Sequence, residues 1–274
     1  MKKIGIIKDT VNTMKKNWKK IGLIIVFDIL FVLLLINLRF VVVNINGWFF
    51  GLFYNLESIT GIAAISSLVI TEFLFLVAVY SFFKYLVLGN IQEMFRKTGL
   101  KFNRFFSFIK LNWIIVGPII VIYAVFFILA TSYLSKKISG GISSPSSLLF
   151  NFLIIVLLLL ISLIYLYTFI NLSHSIFLKE KRLKKVLKLA FINSFKFNSY
   201  KIYWSNLKVI FICSIILLVF YAFMKLFVLT STSAYLRYGG IYRTGLIAII
   251  IVTGYFLLLF NRINFYRITI KGIE

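Results

Sequence analysis

The run LLFNFLIIVLLLLISLIYLYTFI, residues 148–170, holds 23 positions without a charge. Wound as an α-helix at 1.5 Å per residue it is about 34 Å long, enough to cross the roughly 30 Å hydrocarbon core of a bilayer. In lipid the backbone N–H and C=O groups find no water, so only a helix or a closed barrel can satisfy them. An unbroken apolar run of this length selects the helix. Five further apolar runs with few charges lie along the chain, and together the spans are 21–43, 62–88, 112–134, 148–177, 207–229 and 245–266. Composition agrees, with 61% hydrophobic and 14% charged residues, where a soluble domain carries about 25% charged. The expected fold class is an all-α integral membrane protein of six transmembrane helices plus three cytoplasmic interfacial amphipathic helices. All 274 residues form a single polytopic membrane domain. The first span is too long for a signal-peptide core and has no small-x-small cleavage site, so it reads as retained.

The connections alternate in charge. Seven lysines precede the first span, the loop over 44–61 has no basic residue, and Arg96, Lys97, Lys101, Arg104 and Lys110 join the second span to the third. The next link, KKISGGISSPSS, has only Lys136 and Lys137. The stretch KEKRLKKVLKLAFINSFKFNSYKIYW, 179–204, has eight basic residues, and the fifth loop has Arg237 and Arg243. By the positive-inside rule both termini and the two basic loops face the cytoplasm, which places the chain in the cell membrane as a multi-pass protein. The chain has 31 basic and 7 acidic residues, net +24. In a soluble protein that excess would suggest nucleic acid. In a lipid-dissolved chain it marks an anionic membrane surface, and no nucleic-acid partner is expected.

Within 179–204, Leu183, Val186, Leu187, Ala190, Phe191 and Ser194 fall on one helical face, with Lys181, Arg182, Lys184, Lys185 and Lys188 mostly elsewhere. That pattern describes an interfacial helix held by anionic lipid. Ile4, Ile7, Val11, Met14 and Trp18 repeat it at the N-terminus, and Ile91, Phe95, Phe102, Phe106, Ile109 and Trp113 repeat it in the second basic loop. Trp18, Trp113 and Trp204 mark the interface before three of the spans, 95 and 91 residues apart. The spacing admits a three-part plan with units 1–88, 89–178 and 179–274, each an interfacial helix followed by a hairpin of spans. It equally suits any array of hairpins with cytoplasmic lysines and interfacial tryptophans.

The segments KDTVNTMKKNWKKIGLIIVFDILFVLLL and LKKVLKLAFINSFKFNSYKIYWSNLKVIFI resemble the repeated elements of small six-span membrane proteins of bacteria and archaea. There a short basic helix ends in a K-N-W-type turn before an apolar hairpin. The layout is similar to the membrane domain attached to some glycerophosphodiester phosphodiesterases. No phosphodiesterase domain accompanies it here, so the resemblance implies no catalytic residue.

Charges inside spans are costly and therefore mark candidate sites. Asp28 and Lys84 lie at similar depths near the cytoplasmic ends of spans one and two, and Arg39 and Glu72 lie higher. Asp28–Lys84 and Arg39–Glu72 are the pairs that depth allows. Asp28 and Arg39 share a face within about 20°, but Glu72 and Lys84 stand about 120° apart at 100° per residue, so both pairs are not ideal at once. The alternative is that Lys84 and Arg39 snorkel, leaving the acids to polar helix packing or to a proton. Glu72 is nearest mid-membrane. Pro118 either kinks the third span or sits in its first turn. Lys225 snorkels at the outer end of span five, and Asn171 and His174 suit a polar helix-packing patch in span four, with a proton relay at His174 as the alternative.

Catalytic and metal chemistry find little footing. There is one cysteine, Cys213, one histidine, His174, and no P-loop or HExxH, so no cofactor, metal or disulfide is expected. An intramembrane lipid enzyme would have only His174 and Glu180 to work with. The first functional reading is a non-enzymatic polytopic protein that organises lipid, or a membrane complex, through basic interfacial helices. Its contacts would be Trp18, Trp113, Lys181, Arg182, Lys184, Lys185, Lys188 and Trp204. The second is the permease subunit of a transporter driven by a separate ATPase, with the basic loops as coupling elements.

Overall fold

The computed structural model describes residues 6–52, 59–96, 102–139, 145–227 and 232–272. They form eight α-helices: α1 (Ile6–Lys16), α2 (Trp18–Leu52), α3 (Ile59–Arg96), α4 (Phe105–Ser139), α5 (Pro145–Phe177), α6 (Leu183–Ser194), α7 (Phe197–Phe227) and α8 (Thr232–Gly272). A 3-10 turn, Phe102–Arg104, precedes α4, and no strand occurs among the described residues. Five segments are long and apolar enough to cross a membrane: Trp18–Trp48, Ala63–Arg96, Phe102–Tyr133, Leu149–Phe177 and Arg243–Arg267. The chain is an all-α membrane protein. In α7 the apolar stretch found among the described residues is Ile210–Ala222.

Local chemistry sets the breaks. The Asn17 amide donates to the Thr13 carbonyl at 2.9 Å, an internal hydrogen bond that competes with helix continuation. The chain restarts when the N–H groups of Lys20 and Ile21 bond the Asn17 carbonyl at 3.0 and 3.1 Å. Pro145 opens α5 at the first helical position, where its missing N–H costs nothing. Pro118 lies in the interior of α4, not in its first turn. Its ring nitrogen has no hydrogen, so the Ile114 carbonyl loses its helical partner.

Neighbours in sequence pack as hairpins, α2 on α3, α4 on α5 and α7 on α8, while α8 also returns to lie beside α5, α3 and α1. Burial is concentrated where the basic residues gather, termed here the basic end. Ile24, Val87, Leu88, Ile91, Phe108, Leu111, Ile176, Phe177, Val186, Ala190, Ile263 and Phe265 form one cluster there. Towards the far end the same helices expose nearly everything. Ile36, Phe40, Val69, Ile122, Phe127, Leu157 and Val219 are all exposed, and the most apolar 18-residue window of α5 is 0% buried. Lipid tails solvate leucine as well as another leucine does, so such helices gain little by closing on each other.

Two expectations change. The second basic loop yields no interfacial helix among the described residues. Ile91 and Phe95 belong to the end of α3, and Phe106, Ile109 and Trp113 belong to α4. The helical stripe in the sequence is real, but it continues two long helices instead of making a third short one. The other change concerns α6, whose apolar face is only partly free for lipid, since Val186, Ala190 and Ser194 are buried while Phe191 stays exposed. It folds back along α5: Ser194 Oγ reaches the Tyr165 hydroxyl at 3.2 Å and the Phe195 ring meets Tyr165 at 5.2 Å.

Candidate functional site

The basic end is held by the few acids the chain has. Asp28 Oδ2 on α2 accepts from Arg262 at 2.6 Å and from the Tyr255 hydroxyl at 2.7 Å, both on α8. Asp9 on α1 pairs with Arg267 on α8, and the adjacent Thr10 hydroxyl donates to Oδ1 of Asn264, about one turn before Arg267, at 2.7 Å. Glu93 on α3 meets Lys20 on α2 at 3.2 Å. The pairing expected between Asp28 and Lys84 is therefore replaced by one with Arg262, 234 residues away. Lys84 is buried near both Asp28 and Arg262 and feels the charge of each, but it makes no ion pair with Asp28.

A second polar chain crosses α3, α4 and α5. Asn112 Nδ2 donates to Ser81 Oγ at 2.8 Å, and Ser81 donates to the Val77 carbonyl at 2.6 Å. Asn112 Oδ1 lies 2.7 Å from His174 Nε2. A carbonyl oxygen only accepts, so the imidazole proton sits on Nε2 and Nδ1 is a bare, buried acceptor. Phe108 flanks the ring at 5.0 Å. The polar patch expected around His174 is present, and its partner is Asn112 on the neighbouring helix. Asn171 turns instead to the Tyr167 carbonyl at 2.8 Å.

Carbonyls left over at helix ends are taken by cations. Arg104 donates to Phe177 at 2.5 Å and to Glu180 at 2.6 Å, stacking 4.5 Å over the Phe177 ring. It thus ties the start of α4 to the end of α5. Lys179 Nζ donates to the Thr269 carbonyl at 2.8 Å, joining α5 to α8. The Glu180 carboxylate sits at the start of α6, accepting from the backbone N–H of Lys181 at 3.0 Å and of Arg182 at 3.2 Å, with Lys185 at 2.7 Å. The Lys185 hydrogen bond first, then the Arg182 N–H, hold Glu180 below the usual carboxylate range. His174 and Glu180, engaged with different partners, form no dyad.

The outward face carries the surface residues named from the sequence. Lys181, Arg182, Lys184, Lys185 and Lys188 are exposed around α6, while Val186, Ala190 and Ser194 are buried against the protein. Phe191, Ile192 and Phe195 remain exposed beside them. Trp18 is 68% exposed and Trp113 38%, as interfacial anchors need. Ile4 and the side chains of Ile7 and Trp204 lie outside the described residues. Between α4, α5 and α6 runs an open groove of about 440 Å³. Ile114, Ile115, Pro118 and Ile119 of α4 form one wall, and Phe169 of α5 with Leu187, Lys188 and Phe191 of α6 form the other.

At the far end, Arg39 is exposed and Glu72 is half-buried, its Oε1 without a hydrogen-bond partner. They do not pair. The sequence could not reveal that Arg262, Arg267, Tyr255, Asn112 and Arg104 close the basic end, because each contact joins distant segments. The one available cue was that Arg262 and Arg267 recur near the end of an apolar run, at the depth of Asp28 and Asp9. Set against known proteins, the chain matches no family model, no curated protein and no solved structure.

Proposed function

We propose that this is a non-enzymatic, six-span protein of the cell membrane that organises anionic lipid at the cytoplasmic leaflet through its basic end. The observation that carries the reading is the division of charge at that end. Asp9, Asp28, Glu93 and Glu180 are each held by an internal cation, while Lys181, Arg182, Lys184 and Lys188 stay exposed beside Phe191 and Phe195. A surface of cations with aromatic neighbours suits anionic headgroups over acyl chains. The six-span count is supported by α1 and the end of α8, which are bonded to each other and so share one side of the bilayer. An even number of crossings fits that arrangement, with α7 as the sixth, and the excess of lysine favours the cytoplasm for that side.

The test is the lipid that accompanies the protein in nanodiscs of mixed phosphatidylglycerol and phosphatidylcholine. Replacing Lys181, Arg182 and Lys184 by glutamine removes about 3 kcal/mol of surface attraction at roughly 1 kcal/mol each. The anionic enrichment then falls towards the bulk ratio, and an unchanged ratio would refute the reading. A second reading, the permease subunit of an ATPase-driven transporter, draws on α1 and α6, short helices placed beside spans where a coupling partner would dock. Recovery of a stoichiometric ATPase on native purification would favour it.

A further inference from the structure

Resting on that lipid-surface reading, we propose that the groove between α4, α5 and α6 is a binding site for one anionic glycerophospholipid. An acyl chain lies along Ile115, Ile119 and Phe169, and the headgroup phosphate is held by Lys188.

Size and chemistry both select this occupant. The groove's volume of about 440 Å³ falls within the roughly 300–1,000 Å³ typical of ligand sites. Its lining side chains are apolar apart from Lys188. Ordered water needs two to four polar partners, and this wall does not offer them. A hydrocarbon chain needs none. Lys188 is exposed and, unlike Lys185, is not taken by Glu180, so its charge is available to a phosphate.

The backbone of α4 contributes a feature that only a polar headgroup would use. Pro118 leaves the Ile114 carbonyl without its helical donor, and Ile114 and Pro118 both line the groove. A hydroxyl of a phosphatidylglycerol headgroup can supply the missing hydrogen. The level of the groove also fits. Phe169 follows Thr168, which bonds the Tyr203 hydroxyl at 2.7 Å, and precedes the buried polar run Asn171–Ser175, whereas residues before Ser162 are mostly apolar and exposed. The groove therefore opens where the helices pass from lipid-facing to protein-packed, the place of the acyl–headgroup boundary.

The experiment is native mass spectrometry of the full chain in dodecyl maltoside, offered equal amounts of phosphatidylglycerol and phosphatidylcholine with matched acyl chains. The wild type is expected to retain one phosphatidylglycerol through delipidation. Ile119→Trp, which fills the groove, loses the retained lipid. Lys188→Gln keeps a lipid but loses about fivefold in preference for the anionic one. Lys188 is exposed, so this second variant leaves the fold intact and decides the matter even if the tryptophan variant does not fold. Equal retention of both lipids by the wild type overturns the proposal, as does an unchanged preference in Lys188→Gln or a co-purified peptide in the groove. The Lys181, Arg182, Lys184 variant separates the two readings: it should lower bulk anionic enrichment while keeping the single retained lipid. Loss of that lipid in this variant would show that the groove is not a site of its own.

Discussion

The two ends of the same helices obey different rules. At the basic end, α2, α3, α4, α5 and α8 bury Ile24, Ile91, Phe108, Phe177 and Phe265 and cross-link through Asp28–Arg262 and His174–Asn112. At the far end they expose Phe40, Ile122, Phe127 and Leu157, and their charged groups Arg39 and Glu72 stay apart. Helix–helix packing in lipid has no hydrophobic drive and relies on polar contacts and close fit. The basic end has such contacts and is packed. The far end has few and is left to the lipid. Cohesion in this chain therefore follows the placement of polar side chains, not the placement of apolar ones.

The contrast is broken most directly at the Asp28–Arg262 pair. Removing one partner of a buried ion pair costs about 3–5 kcal/mol, and here the side chains retain 15% and 17% exposure. Arg262→Met is thus expected to destabilise by roughly 2–3 kcal/mol, read as a lowered thermal midpoint in detergent. Arg39→Leu, the matched change at the far end, should alter stability by no more than about 0.5 kcal/mol, a correspondingly small shift of the same midpoint. A reversed ranking would remove the distinction between the ends.

Somewhat smaller effects sharpen it. His174→Leu strips Asn112 Oδ1 of its donor and should cost about 1–3 kcal/mol, the penalty for an orphaned buried group. Asn112→Leu should cost a similar amount, and the double variant less than the two added together, since they share one hydrogen bond. At the far end the sign reverses. Glu72 already has a buried oxygen with no partner, so Glu72→Leu should raise stability by about 1 kcal/mol. If Glu72 carries a proton or substrate instead, Glu72→Gln abolishes the coupled activity at unchanged expression.

The smallest effect is at α6. Glu180 titrates below its unfolded value because Lys185 and the Arg182 N–H hold the charged form. Its contribution is present above the ordinary carboxylate range and is lost as pH falls through the lowered value. Protection factors in the first turn of α6, taken relative to the intrinsic exchange rate at each pH, should therefore fall under acid, while the buried turn around Ala190 stays protected. Equal loss of protection across the helix would show that Glu180 does not hold this end of α6.

Much of the fold was legible because lipid imposes a single local rule. A long apolar run with few charges must be helical, and five of the six counted from the sequence are helices long and apolar enough to cross a membrane. The outward face of α6 was legible for the same reason, since Lys184, Lys185 and Lys188 against Val186 and Ala190 is a local pattern. What covers Val186 was not, because α5 is reached only after the chain reverses at Leu178–Arg182. Asp28 was recognised as needing a cation, yet depth arguments favour the neighbouring helix, and the last helix supplied it. Arg104 gave no warning at all, because it binds backbone carbonyls, which every residue has.

The clasp between the first and last helices has a consequence for how the protein is made. Asp9 and Asp28 leave the ribosome early, and Arg262 follows Asp28 by 234 residues, roughly 10–50 s at ordinary translation rates. Over that interval the early hairpins sit in the bilayer with their acids unmatched. Both contacts wait for α8 to be made, so the basic end is locked late in synthesis, however early its first helices enter the bilayer.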